Sequence, residues 1–172
     1  MYFPTLLNEI NISPAALRLY VELNFQGGRN MKTLAMDCFA LDTPDDPTGD
    51  KAVKLLLGAM NELRDRRMML ATGNKPLGAT FWDITPLTRT PITHPRAPGY
   101  MDCDTQPKDL HLSTPAFRLL FWMLSQPMDD MTFKIAPGTD FHLTDAQIEQ
   151  AMNELRGRKL LPQLDDEAAL NE

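Results

Sequence analysis

The chain has 172 residues, with 17 Lys+Arg against 23 Asp+Glu and 43% hydrophobic residues. That length allows one domain or two small ones, and the composition excludes disorder throughout. No apolar run approaches the roughly 18–20 residues of a membrane span, and Met1 to Glu9 lacks the basic start of a signal peptide. A cytoplasmic protein with no membrane partner is expected.

The charge is uneven. Residues 1–100 hold 11 Lys+Arg and 10 Asp+Glu, whereas residues 101–172 hold 6 and 13. A net charge of -6 argues against non-specific nucleic-acid binding. A basic face confined to the first half is compatible with it.

An internal repeat organises the chain. Ala59-Met60-Asn61-Glu62-Leu63-Arg64-Asp65-Arg66 recurs as Ala151-Met152-Asn153-Glu154-Leu155-Arg156-Gly157-Arg158, identical at seven of eight positions. Upstream, Ile10-Asn11-Ile12-Ser13 matches Leu110-His111-Leu112-Ser113, and the match continues through Ala16/Ala116, Arg18/Arg118 and Leu19/Leu119. The chain reads as two copies of one supersecondary unit. Copy one spans 1–87, a Pro-rich linker 88–107, copy two 108–164, and an acidic tail 165–172.

In chain order, Ser13-Pro14 caps a first helix that carries Ala16, Leu19, Tyr20 and Leu23 inward and stops at Gly27-Gly28. A second helix is expected from Asn30 to Leu41. Thr43 to Gly49 is a turn. Asp50 is read as the cap of a third helix to about Arg67, with Val53, Leu56, Leu57, Met60 and Leu63 as its buried stripe. Met68–Thr72 and Ala79–Thr85 read as strands around a turn-rich tip at Gly73–Gly78. In copy two, a helix begins at Pro115. Met131–Ile135 reads as a strand, and Thr144-Asp145-Ala146-Gln147 is a capping box opening the last helix. Lys159–Leu164 is read as one strand of a reduced hairpin. The expected class is mainly α with small β-hairpins, an α+β fold.

Three helices followed by a hairpin resemble the winged-helix family of helix-turn-helix domains. The residues carrying the likeness are Met31-Lys32-Thr33-Leu34-Ala35 and the run from Asn61 through Met69, with Gly73–Gly78 as the wing tip. The likeness covers roughly residues 10–87, and 110–164 more weakly. It is also similar to winged-helix replication initiators of plasmids and phages. The resemblance implies two tandem winged-helix-like units. It further implies sequence-specific binding of double-stranded DNA, in transcription regulation or replication initiation of a plasmid, phage or similar element.

The residues offer a physical case for that function. Lys51 and Lys54 share one face at the start of the third helix, with Asn61 further along. Arg64, Arg66 and Arg67 cluster at its end, and Lys75 sits on the tip. Lys32 and Thr33 open the second helix, where backbone amides can meet phosphate. Against this, arginines in a last turn meet the helix dipole, and Glu62–Arg66 is an ordinary i,i+4 pair. The repeated Asn-Glu-Leu-Arg block is read as structural, because the acidic copy also has it. Lys51, Lys54 and Lys75 face Leu143, Ala146 and Glu167 in copy two.

The first helix of copy two is apolar all round. Glu22 becomes Trp122 and Asn24 becomes Leu124, so Leu119, Trp122 and Met123 are expected at a homodimer interface. The alternative from another class is a protein–protein adaptor or architectural subunit that binds no DNA.

Catalysis finds little support: no Ser-His-Asp spacing, Gly-rich phosphate loop or carboxylate pair stands out. Cys38 and Cys103 read as ordinary thiols. His94, His111 and His142 are scattered singly, away from any metal spacing. No enzyme activity, catalytic residue, metal, cofactor or small-molecule substrate is expected.

Overall fold

The computed structural model describes residues 2–4, 11–25, 30–74, 80–84, 100–102, 107–125 and 141–161. The elements in order are β1 (Tyr2–Pro4), α1 (Pro14–Phe25), α2 (Met31–Phe39), α3 (Asp50–Asp65), β2 (Met69–Asn74), β3 (Thr80–Ile84), β4 (Tyr100–Asp102), α4 (Thr114–Leu124) and α5 (Asp145–Gly157). Short 3-10 turns follow α2 at Ala40–Asp42 and precede α4 at Pro107–Leu110. The linker 88–99, Lys75, Cys103, His94, the strand expected at Met131–Ile135 and the acidic tail lie outside the described residues.

The helices form where the sequence supplies caps. Asn30 accepts the Lys32 amide at 2.8 Å at the head of α2. Ser113 caps α4, and Thr144 with Gln147 forms a reciprocal capping box on α5. Both helices of the repeated block end alike. Arg67 and Lys159 take the left-handed conformation, at φ 58° and 57°. The following amides reach back five residues, Met68 to Leu63 at 2.8 Å and Leu160 to Leu155 at 3.0 Å. This is a Schellman ending in each copy, and it satisfies carbonyls that the helix leaves over.

One hydrophobic cluster spans both copies. Ile12, Leu17, Leu19, Val21, Leu34, Phe39, Leu56 and Leu63 from the first half join Leu112, Phe117, Leu119, Phe121, Phe141 and Leu155 from the second. α1 packs on α3 and α4, α2 on α3, and α4 on α5. The repeat therefore builds two halves of one core, with α1 against α4 at the join.

The expected α+β class, built from two tandem winged-helix-like units, is corrected. Five α-helices carry the described fold, and their side chains with the adjoining loops make its core. Strands are brief. β1 pairs antiparallel with β4, Phe3 opposite Met101. β2 pairs antiparallel with β3, Met69 opposite Ile84 and Ala71 opposite Trp82, with an irregularity between Thr72 and Asn74. Two-stranded ribbons of this length contribute little stability alone, so helix packing decides the fold. In copy two, the expected strand at Lys159–Leu164 is replaced at its start by the helix ending, because Lys159 and Leu160 are spent on it.

The buried stripe of α3 also differs from expectation. Ala52, Leu56, Ala59 and Leu63 face the core, Val53 and Met60 are half-buried, and Leu57 is 41% exposed. Small alanines let α3 approach α1 and α2 closely. Asp50 lies inside the first turn, while Gly49, at φ 79°, is the residue before it.

Candidate nucleic-acid interface

Lys51, Lys54 and Asn61 are exposed. At 100° per residue they share the arc of α3 opposite Ala52, Leu56, Ala59 and Leu63. Lys54 and Asn61 stand two turns apart, about 10 Å along the axis. Leu57 lies between them on the same arc.

Lys32 and Thr33 are exposed on the first turn of α2. The fold brings Lys32 to the head of α3: its Cε is 3.7 Å from where a Cβ on Gly49 would stand. Lys32 and Lys51 thus sit at one end of α3. The amide of Lys32, however, is already given to Asn30, so α2 does not offer it to a phosphate. This narrows the expected phosphate contact to the Lys32 side chain and the remainder of the turn.

The head of α3 carries negative charge as well. Asp46 accepts the Lys51 amide at 2.5 Å and the Thr48 hydroxyl at 2.6 Å. The Thr48 hydroxyl and the Lys51 amide hold the Asp46 carboxyl below its ordinary value, so it stays ionised beside Lys51. Asp50 is exposed next to it.

Arginines at the other end of α3 are engaged within the chain. Arg64 Nη2 donates to Asn61 Oδ1 at 3.0 Å, and Arg66 Nε lies 3.8 Å from Glu62. The acidic copy repeats these contacts: Arg156 donates to Asn153 at 3.3 Å, and Arg158 lies 4.0 Å from Glu154. Asn61, Arg64, Arg66 and Arg67 therefore belong to the shared frame, Arg67 through its left-handed backbone. Lys32, Lys51 and Lys54 are what copy one adds. Lys75 lies outside the described residues.

The residues expected at a dimer interface are placed differently. Leu119 is 0% and Met123 5% exposed, both inside this chain's own core. Trp122 is half-buried and packs edge-on to Phe141, ring centroids 5.2 Å apart. The contrast with copy one also has another cause, because Glu22 is fully buried and accepts the Lys108 amide at 3.2 Å. Position 22 thus holds an internal polar anchor, and its change to Trp122 is no sign of a newly covered surface.

Among the described residues, no group of three His, Cys, Asp or Glu side chains is placed to hold a metal ion. No described helix is long and apolar enough to cross a membrane. No protein family, curated protein or solved structure matched this chain.

Proposed function

We propose that the protein binds double-stranded DNA through the outer face of α3, in transcription regulation or replication initiation. One observation carries this reading. The duplicated helix is its own control: α3 presents Lys51 and Lys54 on its exposed first turn, where α5 has Ala146 and the segment before its cap has Leu143. Everything the two helices share is accounted for by packing and by their common ending. What differs is exposed, basic and next to the Lys32 side chain. Lysines so placed neutralise phosphates.

A second reading is a protein–protein adaptor, favoured by Leu55 and Leu57, 38% and 41% exposed on the same helix. Fluorescence anisotropy with mixed-sequence duplex DNA at low salt separates the two. DNA binding predicts association that weakens steeply as salt rises. Absence of association at micromolar protein favours the adaptor.

A further inference from the structure

Gly58 stands in the middle of α3, exposed, and a Cβ on it would meet nothing within 4 Å. Glycine inside a helix weakens it relative to alanine, and no described residue calls for one here. What a glycine on a helix surface permits is the close approach of a second backbone.

The charges around Gly58 are antisymmetric. At 100° per residue, Lys51, Lys54, Glu62 and Asp65 all fall within about 40° of it on the helix circumference. The lysines stand seven and four residues before it, the acids four and seven after. Leu55, 38% exposed, borders the strip. Turned end for end about Gly58, the strip meets itself with opposite charges. Lys51 then opposes Asp65 of a second molecule, twice by symmetry, and Lys54 opposes Glu62. A parallel pairing would set Lys51 against Lys51 and Asp65 against Asp65.

Lys51 and Asp65 carry the contact. Within its own chain Asp65 lies 3.9 Å from Arg64, both side chains well exposed, and such a surface pair is worth little. Glu62 is already held by Ser13 and Arg66, so it contributes charge alone. Asp46 and Asp50 flank Lys51 and lessen its field. In the second half of the repeat the matching positions are Leu143, Ala146, Gln150, Glu154 and Gly157. The lysines, the glycine and the last acid are all absent there. Asp65 against Gly157 is also the one difference in the eight-residue block that the two halves share.

We propose that two molecules of this protein pair through the outer face of α3, antiparallel and crossing at Gly58, with Lys51 of each against Asp65 of the other. This surface is distinct from the one around Trp122. The pairing does not rest on the DNA-binding reading, but a paired α3 covers Lys51 and Lys54, so one molecule cannot do both at once. One helix pair makes a small interface, and the dissociation constant is expected on the order of 0.1 mM.

Sedimentation equilibrium of the full chain at low salt, up to about 1 mM protein, reads the pairing. Gly58→Gln, which installs the residue found in α5 and meets no neighbour, should weaken association at least about 10-fold. Lys51→Asp and Asp65→Lys each set like charges face to face and should do the same. Both exchanges suit the helix dipole, so helical circular dichroism should be unchanged. The double variant Lys51→Asp, Asp65→Lys should recover the parent's association, because the exchanged charges attract again. A monomer throughout the concentration range would overturn the proposal. So would a dimer indifferent to Gly58→Gln or to the single exchanges, or a double variant no tighter than either single one. At micromolar protein the chain is a monomer on this account, so DNA titrations there succeed or fail independently.

Discussion

Glu62 closes the N-terminus of α1 from another helix: its carboxylate accepts the Ser13 amide at 2.8 Å and the Ser13 hydroxyl at 2.6 Å. Ser13 Oγ in turn accepts the Ala16 amide at 3.2 Å. Copy two repeats the arrangement at the same distances, Glu154 taking the Ser113 amide at 2.8 Å and its hydroxyl at 2.6 Å. A negative charge at a helix N-terminus meets the positive end of the dipole and makes charge-assisted bonds. This contact gives the serine and the glutamate of each copy a shared structural role.

Removing the carboxylate should therefore cost stability in proportion to two stranded donors. Glu62→Ala is expected to lower the unfolding free energy by about 1–3 kcal/mol. In a double-mutant cycle with Ser13→Ala, the coupling should exceed about 0.5 kcal/mol. Urea denaturation of the four proteins measures it. Additive effects would mean that the two residues act independently.

Gly49 should resist replacement. Its φ of 79° is strained for any L side chain, and a Cβ there would stand 2.9 Å from Met36 Sδ. Gly49→Ala is expected to cost about 1–3 kcal/mol through backbone strain and displacement of Met36. Thermal unfolding should show the loss. An unchanged midpoint would contradict the close approach of α2 to the head of α3.

Asp42 ties the end of α2 to the start of α4. It accepts the Thr114 amide at 2.8 Å and the Thr114 hydroxyl at 2.5 Å. Burial raises its carboxyl above the ordinary value, and the bonds from Thr114 and the nearby Arg18 charge only partly oppose this. The folded chain thus takes up this proton more readily than the unfolded one. The resulting stability is fully present below the unfolded value of about 4 and is lost as pH rises through the folded value. Asp42→Asn removes the titration. The stability of the parent minus that of the variant should be larger at acid pH than at neutral pH. A difference that grows with pH would reverse the sign and refute the account.

The repeat was legible because its chemistry is local in sequence: seven identities in eight residues, a serine before each first helix, a glutamate in each last one. Helices α1, α2, α3 and α5 followed from caps and spacing. The inward face of α3 was misread because Val53 and Leu57 outweigh alanines in hydropathy. Close helix packing selects Ala52 and Ala59 instead, and only the position of α2 reveals that. Glu22 resembled a solvated residue because its partner amide, on Lys108, is 86 positions away. Trp122 resembled an interface residue because its ring partner, Phe141, lies beyond the second copy's first helix. At the candidate interface, the lysines were legible as charge asymmetry between copies. The approach of Lys32 to Gly49 was not, since it depends on how α2 lies on α3.

The central claim, that Lys32, Lys51 and Lys54 contact DNA phosphates, is tested most directly by the salt dependence of binding. Anisotropy titrations of the parent and the triple variant Lys32→Ala, Lys51→Ala, Lys54→Ala, across a series of salt concentrations, give the slope of log K against log salt. Each lost phosphate contact should flatten that slope by about 1, so the variant should bind more weakly and with a slope shallower by about 2–3. Equal slopes and equal affinities in a variant with unchanged helical circular dichroism would contradict the account.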